Sequence, residues 1–260
     1  MKLRQIVFAA LVFFIGCAAP QTRLPQKALL KPAIIKEAIT ITEKLDDNRE
    51  VKAPDGENWF DVIVGPVPIV VTAPHATSPL RDGKLRFSDG GGTGALAVIL
   101  NKIAGVTVIY TTYASPSDPN YYDNNTFKDA LREIIDRQDP VLLLDLHGSH
   151  AFRPYEIDFG IMDGQSLLGN DHFLTDLISI LRADGIINLS NNYFGASKHA
   201  TITKFASNRG VPSIQMEISS TWLTPQKNNL NAHRFAQMLQ ALLRYINDLK
   251  EEICKTRTCE

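Results

Sequence analysis

Short, nearly continuous apolar runs alternate along this chain with longer stretches in which apolar residues recur every three to four positions. Runs of the first kind read as strands buried on both faces, and stretches of the second kind as amphipathic helices. Residues 62–64 and 69–72 are predicted strands, the second ending at Ala73-Pro74-His75. Residues 93–103 carry Ala95, Leu96, Val98, Ile99 and Ile103 at helical spacing, after Asp89 and a run of glycines. The β-branched stretch 106–111 is a strand. Residues 126–137 place Phe127, Ala130, Leu131, Ile134 and Ile135 on one side of a helix that Pro140 closes. A strand over 141–146 follows, then helices over 172–183 and 200–207, a strand over 213–218 and a long amphipathic helix over 230–252. This alternation predicts an α/β fold with three layers, α/β/α, around a mostly parallel or mixed central sheet.

The N-terminus departs from that pattern. Lys2 and Arg4 precede an apolar run at residues 6–15, and Gly16, Cys17, Ala18 and Ala19 follow. This is the pattern of a signal peptide. The run is too short for a permanent membrane span, which needs about 20 residues. Residues 14–17 resemble a bacterial lipobox, so Cys17 is expected to become the lipid-modified first residue of an exported protein. Its contact with the membrane would be through that anchor alone, facing the periplasm or exterior. Residues 18–56 carry Pro, Lys and Glu with one apolar stretch near 34–41, and read as a tether with room for a short strand or helix of its own. One domain of ordinary size is expected over 57–250, large enough for a sizeable core. A tail over 251–260 follows, in which Cys254 and Cys259 are expected to form a disulfide, as a close pair in an exported chain does.

A formal net charge of −1 and the absence of long basic runs give no electrostatic reason to expect a nucleic-acid partner. A small-molecule or peptide-like ligand is the expected partner. In α/β sheets such ligands sit at the carboxyl ends of the strands. Three predicted strands end in residues that can do chemistry there: Pro74-His75, Asp145-Leu146-His147-Gly148 and Gln215-Met216-Glu217. Residues two apart in a strand share a face, so Asp145 and His147 lie side by side. A carboxylate beside an imidazole fixes its tautomer, ligates separately, or accepts a proton. Zinc catalysis needs about three His, Asp or Glu ligands and a carboxylate base beside an open position. His75, His147 and a third carboxylate meet the first need, with Glu217 as the base. A serine mechanism would require a Gly-x-Ser-x-Gly frame, which Gly148-Ser149-His150 lacks.

Four segments in order resemble the N-formylglutamate amidohydrolase family: Ala73-Pro74-His75-Ala76-Thr77, Phe87-Ser88-Asp89-Gly90-Gly91, Leu144-Asp145-Leu146-His147-Gly148-Ser149 and Ser213-Ile214-Gln215-Met216-Glu217-Ile218. The resemblance covers about residues 60–247. It implies a zinc carboxypeptidase and aspartoacylase-type fold and the hydrolysis of amides next to a carboxylate. It further implies one zinc ion held by His75, Asp89 and His147, with Glu217 as general base and acid. Asp89 also reads as an N-cap of the next helix, and Asp82 or Asp145 competes for its place. Where family members carry Asp-x-Asn-Arg, this chain has Asp118-Pro119-Asn120-Tyr121, without the Arg. Asn120 remains a candidate for substrate binding. The cations expected to meet an anionic substrate are Lys198, Lys204 and Arg209, of which Arg is the better carboxylate fork. His150 and His199 are candidate oxyanion or proton-transfer groups, and Asp158-Phe159-Gly160 reads as supporting structure. An alternative to catalysis is an inactive lipoprotein that keeps the fold as a binding module.

Overall fold

Four of the apolar runs form the middle of one seven-stranded sheet. In the computed structural model, which describes residues 27–256, the strands are β1 (Phe60–Ile63), β2 (Val67–Ala73), β5 (Val106–Thr111), β6 (Leu142–Ser149), β7 (Ile157–Gly160), β8 (Leu189–Asn191) and β9 (Ser213–Ser219). A separate two-stranded hairpin, β3 (Leu80–Arg81) and β4 (Lys84–Leu85), follows β2. The sheet order is β1-β5-β2-β6-β9-β7-β8. β5, β2, β6 and β9 are mutually parallel, β1 is antiparallel to β5, and β7 is antiparallel to β9. The expected α/β fold with a mixed central sheet is therefore the one that forms.

Helices cover both faces. Alternate residues of the central strands, among them Ile69, Val71, Leu142, Leu144, Ile214 and Met216, pack with α1 (Pro32–Asp47), α2 (Gly91–Ala104), α4 (His172–Ala183) and α6 (Asn229–Thr256). On the other face, Val70, Ile109 and Leu143 pack with α3 (Thr126–Gln138) and α5 (Ile202–Ser207). Leu142, Leu143 and Leu144 are fully buried, and each such side chain contributes about 1.5–3 kcal/mol relative to exposure. Local chemistry sets the helix ends. The Asn125 side chain caps α3 by accepting from the Lys128 N–H, and α3 stops at Asp139, whose φ of 44° leaves the helix just before Pro140.

The segment expected as a tether contains a packed helix. α1 buries Ala38, Thr42 and Leu45 on one face against α2, so the folded unit reaches back to Pro32. Asp46 Oδ1 accepts from the Gly91 N–H at 2.9 Å, and Asp46 Oδ2 accepts from Gln226 Nε2 at 2.8 Å. A side chain at Gly91 would meet the Thr42 carbonyl oxygen at 2.4 Å, so α1 can approach the start of α2 only over glycine. At the other end, α6 runs on to Thr256 through residues expected as a tail, because Ile253 still packs on the core. Cys254, within α6, is disulfide-bonded. The signal peptide, Cys17 and Cys259 lie outside the described residues. Among the described residues no helix is long and apolar enough to cross a membrane.

Candidate metal centre

The parallel strands β2, β6 and β9 end at the same edge of the sheet. His75 stands two residues beyond β2, His147 lies near the end of β6, and Glu217 faces it in register on β9. Residues paired in this way on neighbouring strands stand about 5 Å apart. The odd-numbered positions Asp145, His147, Gln215 and Glu217 share the face opposite Leu144, Leu146, Ile214 and Met216.

Asp89 reaches the same point from the start of α2. Its N–H donates to the His75 carbonyl at 2.8 Å. Its Oδ2 lies 2.8 Å from His147 Nδ1 and 3.5 Å from His75 Nδ1. The N-cap of α2 is Gly90, and no side chain caps it, so the Asp89 carboxylate is engaged by the histidines and not by the helix. A Cβ at Gly148 would come within 2.6 Å of the Asp89 carbonyl oxygen, so a glycine after His147 is what lets this loop close on β6. The competitors stand elsewhere. Asp82 sits on the exposed hairpin tip bonded to the Tyr122 hydroxyl, and Asp145 lies beneath His147.

Each imidazole is backed by a second carboxylate. His75 Nε2 lies 2.8 Å from Asp118 Oδ1, while Asp118 Oδ2 accepts from Arg81 Nε at 2.9 Å and from its Nη2. His147 Nε2 lies 3.3 Å from Asp145 Oδ2, a charge contact without the alignment of a hydrogen bond. Asp145 is itself held by the Thr72 hydroxyl at 2.6 Å and by Thr203 at 3.4 Å. This is the carboxylate–histidine pairing that orients imidazoles toward a metal. One ring nitrogen of His75, one of His147 and a carboxylate oxygen of Asp89 all lie within 4.8 Å of one another. A tetrahedral ion with bonds of about 2.0–2.1 Å holds its ligands about 3.4 Å apart, and the 2.8 and 3.5 Å separations of Asp89 Oδ2 from the two Nδ1 atoms bracket that spacing.

The charge balance favours a cation. With both imidazoles neutral, as metal ligands must be, Asp89, Asp118, Asp145 and Glu217 face a single ion-paired arginine, Arg81. In the metal-free protein, burial opposes the charged form of His75, but Asp118 and Asp89 outweigh it and push the pKa up to about 9. His147 is likewise raised against burial, by Asp145 and Asp89. Burial works to raise Asp89, but its bonds to His147 and His75 hold it down at about 2. Burial pushes Glu217 up to about 7.

These shifts predict the stability of the metal-free protein against pH. A histidine raised on folding contributes stability below its ordinary 6.5 and loses it as pH climbs through about 9. Glu217, raised from 4.5, loses its share as pH climbs through about 7. Asp89 contributes above 3.8 and loses its share as pH falls through about 2. The site therefore stabilises the metal-free fold most between the ordinary aspartate and glutamate values of 3.8 and 4.5. Thermal scans of chelator-treated protein should show the melting temperature falling by several degrees from about pH 5 to about pH 9, at roughly 2–4 °C per kcal/mol. Zinc should oppose that fall, because it replaces protons on both histidines. A flat profile in the chelated protein would contradict the assignment.

A cleft opens around this centre in two lobes. The larger, of about 410 Å³, is lined by Asn120, Phe194, Lys198, His199 and Gln215 as well as the metal-site residues. The smaller, of about 220 Å³, lies toward Ser149, His150 and Arg153. Arg81 and Arg86, on and beside the hairpin β3–β4, line both. Asn120 is in place, but its Oδ1 accepts from the Ile202 N–H at 2.8 Å and ties the loop to α5. Asp158 accepts from the Tyr193 and Phe194 N–H groups at 3.0 and 2.8 Å and so shapes the cleft wall, the supporting role expected of its segment.

Two expected substrate cations lie elsewhere. Arg209 stacks on the Phe205 ring at 3.6 Å and donates to the Phe205 carbonyl, and Lys204 Nζ donates to the Ser197 carbonyl at 3.3 Å. The short helix α5 turns both onto its own surroundings and away from the cleft. Arg81 and Arg86 were not among the residues expected at the site. Their signal was Leu80-Arg81-Asp82-Gly83-Lys84-Leu85-Arg86, an Asp-Gly turn between short extended pairs. Nor was the place of Asp118 behind His75 expected.

No known sequence family's pattern and no curated protein sequence matches the chain. Solved structures do. The chain is similar to N-formylglutamate amidohydrolase from Ralstonia eutropha JMP134, with a TM-score of 0.56 at 17% identity over 74% of this chain and 98% of that one. It also aligns with a bacteriophage poly-gamma-glutamate hydrolase, with a TM-score of 0.46 at 13% identity over 79% and 94% of the two chains. A metallo-carboxypeptidase from Pseudomonas aeruginosa aligns with a TM-score of 0.47 at 10% identity over 84% and 68%. The first of these establishes that the chain has the fold of N-formylglutamate amidohydrolase.

Proposed function

We propose that this protein is a metal-dependent amidohydrolase that cleaves an amide bond of an N-acyl amino acid or peptide-like substrate. The observation that carries the reading is the convergence of His75 Nδ1, His147 Nδ1 and Asp89 Oδ2, each histidine backed by a further carboxylate, beside a buried Glu217. Bound by these three residues, one zinc ion would polarise an amide carbonyl and lower the pKa of water from 15.7 to about 7.

The remaining chemistry belongs to the chain. Glu217 accepts the proton of the attacking water and delivers it to the leaving amine. In the metal-free protein burial pushes this carboxyl up to about 7, and a cation held beside it would draw it down toward the proton-accepting form. Gln215 Nε2 donates to Glu217 Oε1 at 2.9 Å and holds the carboxylate at its strand end. Asp118, gripped by Arg81, keeps the His75 ring turned with Nδ1 toward Asp89. The pattern of residues 2–19 supports export of the enzyme and its anchoring through a lipid on Cys17.

The test is a panel of N-acyl amino acids and dipeptides offered to the chelator-treated protein before and after zinc is restored. Hydrolysis should appear only in the restored protein and scale with its metal content up to one ion per chain. A protein that takes up no metal and cleaves nothing would overturn the reading.

A further inference from the structure

The larger lobe of the cleft runs inward from the metal centre, and Gln215 sets its deep end. Gln215 stands two residues before Glu217 on β9, so it lies about 6–7 Å farther from the strand end. Its neighbours in register are Asp145 on β6 and Gly160 on β7. A Cβ at Gly160 would come within 2.5 Å of the Phe194 carbonyl oxygen and 3.2 Å of the Gln215 Cβ. Glycine at that position therefore lets the Phe194 loop, one wall of the lobe, stand close beside the glutamine.

The Gln215 side chain is buried, at 3% exposure for the residue, and one bond orients its amide. Nε2 donates to Glu217 Oε1 at 2.9 Å, which turns Oε1 the other way. That oxygen is buried and has no hydrogen-bond partner. The other buried lining atom without a hydrogen bond, His147 Nε2, has the Asp145 carboxylate at 3.3 Å. The nearby polar groups are engaged: Thr201 Oγ1 donates to the Ala196 carbonyl at 2.7 Å, and Asn120 Oδ1 holds the Ile202 N–H. Lys198 and His199 also line the lobe, but they are exposed. A buried acceptor left unmatched is unfavourable, and an incoming N–H or O–H relieves it. A carboxylate would set acceptor against acceptor, and a hydrocarbon group would leave Oε1 as it is. Resting on the amidohydrolase reading, we infer that the deep end of the larger lobe is a subsite for a substrate side group carrying a hydroxyl or N–H, which donates to Gln215 Oε1. The substrate class narrows to amides with a short, donor-bearing group beside the scissile bond.

The experiment measures kcat/KM of the zinc-loaded full chain on pairs of N-acyl amino acids nearly equal in shape. N-acetylthreonine is set against N-acetylvaline, N-acetylasparagine against N-acetylleucine, and, on the acyl side, N-glycolylalanine against N-propionylalanine. In at least one pair the donor-bearing member should be favoured by about tenfold or more, because its partner leaves a buried acceptor unmatched. Gln215→Met and Gln215→Leu keep the bulk of the side chain and lack the acceptor. Both should turn over every substrate more slowly, since Glu217 loses its bond to Gln215 Nε2, and in both the preference within the favoured pair should fall toward one. The ratio separates the subsite from the support of Glu217, which acts on both members of a pair alike. Thermal scans and zinc content identify the folded, loaded variants. A native enzyme that treats the members of every pair alike, or a preference that survives in either folded variant, would overturn the subsite and leave the metal centre standing. Absence of turnover on these substrates and on the wider panel of N-acyl amino acids and dipeptides would instead overturn the amidohydrolase reading, and this inference with it.

Discussion

Replacing His75 or His147 with alanine is expected to strip the protein of zinc and to lower amide hydrolysis by at least about a thousandfold. The metal's stabilisation of developing charge is worth several kcal/mol, and each 1.36 kcal/mol is a factor of ten in rate. Either histidine supplies one of three donors that meet within 4.8 Å, so two donors remain in each variant, too few for the three-ligand catalytic site that zinc uses. The variants should still fold. In His75→Ala, Asp118 keeps its paired bonds to Arg81; in His147→Ala, Asp145 keeps the Thr72 hydroxyl. Elemental analysis reads the loss directly. A thermal scan reads it again, because a ligand that binds only the native state at a thousand times its Kd adds about 4.1 kcal/mol. Zinc should raise the melting temperature of the native protein and leave both variants unmoved. Stoichiometric zinc retained in either variant would remove that histidine from the site.

Glu217→Gln separates proton transfer from metal binding. Glutamine has nearly the shape of glutamate and keeps an oxygen that can accept from Gln215 Nε2, now bonded at 2.9 Å, but it cannot take a proton from water. General-base catalysis typically contributes about 10²- to 10⁴-fold, so kcat should fall by that factor while zinc content stays at one per chain and KM changes little. Loss confined to kcat marks an interaction made in the transition state. If the variant hydrolyses at the native rate, Glu217 is not the base and the mechanism fails. If zinc is lost together with activity, Glu217 is a ligand and not a base.

Most of the sheet was legible from the chain because its strands are continuous apolar runs and its helices keep one apolar face. The elements that escaped were short or lacked such a run. The hairpin β3–β4 has two residues in each strand, β8 has three, and β7 has four in a segment read only as support. Helix α1 lies in the segment read as a tether with room for a short strand or helix; of its residues Ala38, Thr42 and Leu45 are buried and Ile34, Ile35 and Ile41 half-buried against the core, a packing that no clear pattern announced among Pro, Lys and Glu.

By itself the sequence determined what short-range order can: the alternation of strands and helices, and the placing of His75, His147 and Glu217 at strand ends, where the alternating pleat puts Asp145 on the same face as His147. The tertiary structure decided which distant groups meet them. The residues alone left the third ligand open, the family resemblance favoured Asp89 over Asp82 and Asp145, and the docking of the first turn of α2 against α1 sets Asp89 over Gly148 beside both histidines. Arg81, Arg86 and Arg153 reach the cleft, while Arg209 and Lys204 turn back onto α5. The reason is physical. A strand end depends on neighbouring residues, whereas the filling of a cleft depends on strand order and on where each loop lands, which are set by contacts between residues far apart in the chain.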